Sequence, residues 1–299
     1  MNNLLVHLKY SLKIFRYFFA VIIIISAVFS IIYAISQGSY YHDWYIHYVT
    51  NSPAIDPEVV NLMRAGTTIS YWRDFILYMS FIIPPVIAFF ISRDEENGMN
   101  GLLIMHSKKG SLFISRLIVI VVTLFIVSLL AGIIFNLSFY QINGIILNQL
   151  LPECLGVFLI LTSYALIGAF VGFIIPRKEW SIIISVFMVI FLNTLSNLGI
   201  SEGDAYMGNI EGPITWNEYL SLYPLKWKIL KFTSPWGLIE MLNPLAGIPQ
   251  GIIDPNPIDV SLLGLTGDIF LSLAWIILLS FFSYILFLRK HRNSLEVIL

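Results

Sequence analysis

The chain has 299 residues, of which 58% are hydrophobic and 12% charged, whereas a soluble domain carries about 25% charged residues. With a mean hydropathy of +0.82, there are too few polar groups to cover a water-facing surface, so lipid must be the main solvent. A net charge of −1 argues against a nucleic-acid partner, and the single cysteine, Cys154, excludes a disulfide framework within the chain.

Six segments stand out by length and apolarity, near 17–36, 75–92, 112–138, 150–175, 180–199 and 268–288. They predict an all-α polytopic membrane protein, with one transmembrane domain over residues 1–299. The second span covers about 27 Å at 1.5 Å per residue, enough for the hydrocarbon core. The third and fourth are longer, so they tilt or protrude. Only Pro176-Arg177-Lys178-Glu179 separates spans four and five, which predicts a tight hairpin. With the N-terminus inside, twelve of the seventeen Lys and Arg fall on the cytoplasmic side. The positive-inside rule therefore predicts a multi-pass plasma-membrane protein with both termini cytoplasmic. Tyr33-Ala34-Ile35-Ser36 is a weak match to a signal cleavage site, and the apolar run before it is longer than a signal peptide needs.

Residues 3–16 read as an amphipathic interface helix, with Leu4, Leu5, Leu8, Leu12 and Phe15 on one side and Lys9, Lys13 and Arg16 on another. Residues 37–74 read as the first outer loop, its aromatics suited to the membrane–water interface. His42, Asp43 and His47 lie near one another there, but no paired spacing on a helix supports a metal site. In span two, Pro84-Pro85 reads equally as a hinge or as a fixed bend used for packing. Residues 200–267 are rich in Pro, Gly and Trp, yet still apolar at 236–242. A loop this long is rarely featureless. It predicts an extracellular helical segment on or dipping into the outer leaflet and closing the extracellular side of the bundle, with Lys226, Lys228 and Lys231 towards headgroups, an anionic cargo or solvent.

No charged residue stands in the middle of any span, so ion-coupled transport and intramembrane proton relays have no groups to work with. Glu153 follows Pro152 at the start of span four, a common helix N-terminal pattern. No phosphate-binding Gly-x-x-x-x-Gly-Lys-Ser/Thr loop is present. Weakly polar residues do occur within spans. Ser26, Ser30 and Tyr33 share a stripe of span one with Gln37, and Asn193, Thr194, Ser196 and Asn197 fall near the outer end of span five. They line a mildly polar pathway or hydrogen-bond between helices. Gly168-x-x-x-Gly172 permits close helix packing in span four.

The most structured intracellular segment runs Arg93-Asp94-Glu95-Glu96-Asn97-Gly98-Met99-Asn100-Gly101-Leu102-Leu103, then Lys108, Lys109 and Arg116. It resembles the intracellular loop of ABC-2 type transporter permeases, in which an acidic stretch and a glycine precede a short coupling helix. Glu95 and Glu96 match the acidic position, with Asp94 beside them. Gly98 matches the glycine, Leu102-Leu103 the aliphatic pair, and Arg116 the basic residue at the start of span three. The proline usual after the aliphatic pair is absent. The six-span plan, the N-terminal helix and the large outer segment extend the resemblance along the chain. It implies a membrane subunit of an ATP-binding-cassette exporter, paired with an identical or related permease protomer. A cytoplasmic ATPase subunit would bind ATP and Mg, and this chain would hold no cofactor and catalyse no reaction itself. The mildly polar spans suggest an amphipathic or hydrophobic cargo such as a lipid, peptide, antibiotic or lipid-linked glycan. The rival reading is a membrane scaffold or assembly factor without a transport path.

Overall fold

The computed structural model describes residues 3–44, 57–98, 103, 109–209, 214–246, 252–253 and 262–290. Among them are six helices long and apolar enough to cross a membrane: α1 (Asn3–Trp44), α2 (Pro57–Glu96), α3 (Lys109–Asn143), α4 (Leu150–Ile174), α5 (Lys178–Met207) and α9 (Gly264–Lys290). Between α5 and α9 lie α6 (Trp216–Leu222), α7 (Leu225–Lys231), a 3-10 helix (Pro235–Met241) and α8 (Leu242–Leu245). The only described strands are two residues each: β1 (Ile214–Thr215) pairs antiparallel with β2 (Ile252–Ile253).

The first two helices outrun the sequence-predicted spans. α1 continues without a break from residue 3 through the span, so 3–16 is not a separate helix. The reason is one unbroken buried stripe: His7, Ser11, Phe15, Phe18, Ile22, Ser26, Ser30, Ala34, Gly38 and Tyr41 recur every three or four residues. That stripe packs along α3. The apolar side expected to face the interface (Leu4, Leu5, Leu12) is exposed, which suits lipid. α1 runs on to Trp44 and α2 begins at Pro57, so together they make most of the expected outer loop helix. Arg64, Arg73 and Asp74 lower the hydropathy there without interrupting the buried stripe of Ala65, Ile69, Trp72 and Ile76.

α4 is the centre of the bundle. Nineteen of its 25 residues are buried, and it packs against α2, α3, α5, α9 and the 3-10 helix. The α2–α4 contact is backbone on backbone. A Cβ on Gly168 would come 2.2 Å from the Pro84 carbonyl oxygen, and one on Gly172 would come 2.9 Å from that of Ala88. The small-residue pair therefore seats α4 on one face of α2, at the prolines. Pro84 and Pro85 lie inside an uninterrupted helix and are buried. A proline removes one helical hydrogen bond and crowds the preceding turn. The close approach of Gly168 falls on this proline turn.

α5 buries a narrow stripe of mostly small residues: Ser181, Ser185, Val189, Asn193, Ser196, Gly199, Gly203 and Met207. One part receives α2 and another receives the inter-span segment through α7 and the 3-10 helix. α9 is peripheral and buries only Asp268, Ser272, Leu279, Ser283 and Phe287. Its outward face carries Phe270, Ile277, Leu278, Phe281 and Phe282, an apolar surface suited to lipid or a partner helix.

Candidate functional site

The acidic run at the end of α2 sits where all six long helices meet. Asp94 accepts a hydrogen bond from Arg116 of α3 at 2.7 Å, with side chains 5% and 2% exposed. Arg93 lies 3.6 Å from the other Asp94 oxygen. The Glu95 carboxylate is 3.3 Å from Lys290 at the end of α9 and only 3% exposed. Lys290 also donates to the Phe173 carbonyl of α4 at 3.4 Å. Glu96 is half exposed and lies 3.8 Å from Lys178 at the start of α5. Three consecutive acids thus reach bases on three different helices.

Hydroxyl pairs close the rest of this collar. Ser11 of α1 meets Ser115 of α3 at 3.1 Å, and Ser92 of α2 meets Ser181 of α5 at 2.7 Å. His7 of α1 lies within electrostatic reach of Arg116. A buried ion pair contributes little net stability, because desolvation offsets attraction, but removing one partner is costly. The collar therefore fixes helix positions more than it adds stability. The exposed Glu96–Lys178 pair adds little to either.

Beyond Glu96, α2 stops at a glycine-dependent turn. Gly98 has φ +67°, a left-handed conformation that costs a side-chain-bearing residue. Asn97 donates its backbone N–H to the Arg93 carbonyl at 3.0 Å, and Gly98 to that of Glu95 at 3.1 Å. Asn97 and Gly98 are exposed. Leu103 is helical and packs against the core. Leu102 lies outside the described residues, as do 99–101 and 104–108. Of the six residues read as a partner-facing segment, Asp94 and Glu95 are turned inward, Leu103 is half-buried, and Glu96 and Gly98 reach the surface.

The candidate pathway residues fall into two separate networks. The Ser30 hydroxyl bonds the Ser26 carbonyl and the Tyr71 hydroxyl, both at 2.7 Å, and Tyr71 donates to the Ala131 carbonyl at 3.1 Å. Tyr33 packs edge-on against Tyr71, which stacks on Phe135 at 4.0 Å. These contacts join α1, α2 and α3. Asn193 instead accepts from Tyr164 and from Ser234, each at 2.6 Å. Ser196 donates to the Lys231 carbonyl at 2.5 Å, and Asn197 is exposed. These contacts join α4, α5 and the inter-span segment. Among the described contacts the two sets share no partner.

One expectation is corrected and two are filled in. Lys231 is not a surface lysine: it is buried and ion-paired with Glu240, itself buried on the 3-10 helix. The apolar stretch 236–242 packs against α4 and α5. Glu153 does more than favour a helix terminus, since it is fully buried and accepts a hydrogen bond from Thr68 of α2 at 2.7 Å. Sequence reasoning missed Tyr164, Ser234, Glu240 and Asp268 as buried polar anchors. The readable signal was a glutamate inside an apolar run and an aspartate in the first turns of the last span.

No protein-family model matches this chain, and no curated protein matches it in sequence. Among the described residues no group of three or more His, Cys, Asp or Glu could hold a metal ion. A cavity of about 440 Å³ is an open and mainly apolar groove between α3 and α4, lined by Gly132, Asn136, Tyr140 and Cys154, among others.

Proposed function

We propose that this chain is the membrane subunit of an ATP-binding-cassette exporter, in which force from a soluble ATPase enters at the end of α2. The observation that carries this reading is the collar. A push on the end of α2 would be passed by Asp94, Glu95 and Glu96 to α3, α9 and α5 together, so the helices would move as a unit. The acids then serve as internal clamps. Contact with the ATPase falls to Asn97, Gly98 and the segment that follows, including Leu102 and Leu103. ATP and Mg belong to that ATPase subunit. The apolar outward faces of α1, α5 and α9 suit lipid and a second protomer, and an amphipathic or hydrophobic cargo fits spans with so little charge. The expected setting is a plasma membrane with both termini in the cytoplasm.

One observation favours a second reading. The polar side chains Ser30 and Asn193, on two different spans, are already bonded to neighbouring helices, as a membrane scaffold or assembly factor without a transport path would require. A cross-link separates the two. Asn97→Cys in a Cys154→Ser background, treated in native membranes with a short thiol–amine linker, is expected to capture a protein that binds a photoreactive ATP analogue. Capture only of proteins that do not bind ATP would favour the scaffold.

A further inference from the structure

At the end of the bundle opposite the collar, α3 and α4 leave a gap between them. They touch at Cys154, whose thiol lies 3.6 Å from the Ser128 carbonyl oxygen. A Cβ on Gly132 would come 2.9 Å from that sulfur and 3.1 Å from the Trp72 ring of α2. The two helices are tied again through the turn 144–149. Asn136 grips that turn with both ends of its amide, donating to the Leu147 carbonyl at 3.3 Å and accepting from the Leu147 N–H at 3.0 Å. Leu147 itself is buried. Between these ties lies the open groove of about 440 Å³. Gly132 and Cys154 make its floor, with Trp72 behind them. Its walls are Ile133, Leu137 and Tyr140 of α3, Ile146 of the turn and Leu151 of α4.

All five wall residues are exposed, so the groove opens sideways and is continuous with the apolar flank that faces lipid. Water is a poor occupant. An apolar cavity of about 150 Å³ stays dry and takes up benzene instead, and the Asn136 amide is already bonded to Leu147. An ionic ligand has nothing to meet. No charged residue occurs between Arg116 and Glu153, and Glu153 is buried and turned to Thr68 of α2. From Gly132 to Tyr140 the groove runs about 12 Å at 1.5 Å per residue. The hydrocarbon of one leaflet is about 15 Å deep, half of the bilayer core. Tyr140 stands at the mouth, where an amphipathic ring suits the membrane–water boundary, and the exposed amides of Gln141 and Asn148 lie beyond it.

We propose that this groove is a binding site for one acyl chain of a membrane lipid, taken from the leaflet at this end of the bundle. The chain enters sideways and lies between Ile133, Leu137 and Leu151, with its tip towards Cys154 and its headgroup level with Tyr140. Lipid already bathes the flank, so no transfer out of water drives binding. The gain is packing: a chain in the groove meets protein atoms on three sides, whereas one against a convex helix face meets them on one. The chain is recognised by shape, because the stretch that builds the groove carries no charge to select a headgroup. The site holds a resident lipid and does not depend on the transporter reading.

The test uses the full chain in phosphatidylcholine nanodiscs that contain a small share of the same lipid with a photoreactive diazirine on one acyl chain. Labelled residues are mapped by mass spectrometry. The control is the exposed face of α1 at Ile31, Ile32 and Ile35, which the contacts from Ser30 through Tyr71 to Ala131 set at a similar depth. Labelling of the groove residues within 132–154 is expected to exceed that of the control face on the order of fivefold. Leu137→Trp and, separately, Ile146→Trp fill the groove from exposed positions. Each is expected to remove the excess and to leave the labelling of α1 unchanged, which also shows that the variant is folded. Equal labelling of the two faces in the wild type, or an excess that survives both tryptophans, would overturn the proposal. So would a disulfide between two copies of Leu137→Cys in a Cys154→Ser background, since the groove would then belong to a second protomer.

Discussion

Gly168→Ala is the substitution most sharply constrained by the packing of this bundle. The added methyl would sit 2.2 Å from the Pro84 carbonyl oxygen, 2.6 Å from its Cα and 2.8 Å from its carbonyl carbon. All three atoms are backbone, so no side chain can rotate away. Contact distances between such atoms are about 3.5–4.0 Å, so α2 and α4 must separate by more than an ångström. Overpacking in a well-filled core costs about 1–3 kcal/mol, and the upper end is expected because the overlap falls on the central helix. Gly66→Ala is the matched control, since nothing lies within 4 Å of its new Cβ. Mid-helix Gly→Ala should there be neutral or stabilising by up to about 1 kcal/mol. Reversible unfolding of both variants in mixed micelles, followed by circular dichroism, measures the difference. A Gly168→Ala protein that unfolds with the wild type would refute the seam at Pro84.

Two further outcomes follow from the polar contacts. Arg116→Met alone is expected to destabilise by about 3–5 kcal/mol, because it leaves Asp94 buried with only Arg93 nearby. Asp94→Leu with Arg116→Met should recover most of that loss, so additive effects in the double-mutant cycle would exclude the pair as a unit. Tyr71→Phe removes the bonds to Ser30 and Ala131, and should cost about 0.6 kcal/mol, a typical membrane interhelical value, in the same unfolding assay. A loss several times larger would mean that the hydroxyl does more than join helices.

The six spans were legible because hydropathy alone selects them, but their ends were not. Arg64, Arg73 and Asp74 drop below any apolar threshold, yet helix formation follows the buried stripe through them. Residues 3–16 were legible as helix and mislead about its surroundings, because the decisive residues were His7 and Ser11 rather than the leucines. Gly168-x-x-x-Gly172 announced a close contact but could not name Pro84 as its partner. The acids at 94–96 stood out as a special segment. Their bases lie on helices far along the chain, and only tertiary packing brings Arg116, Lys178 and Lys290 to one end of the bundle. Lys231 looked like its neighbours Lys226 and Lys228, since nothing local distinguishes a lysine that faces a buried glutamate nine residues on.

The central claim is that a soluble ATPase drives this chain through the end of α2. Purifying the tagged chain in mild detergent and assaying the eluate for ATP hydrolysis tests it most directly. The account predicts that an ATPase co-purifies, and that it is lost when Asn97 and Gly98 are both replaced by aspartate while the chain still inserts. Recovery of the chain with no ATPase, or with one whose retention ignores residues 97–103, would contradict it.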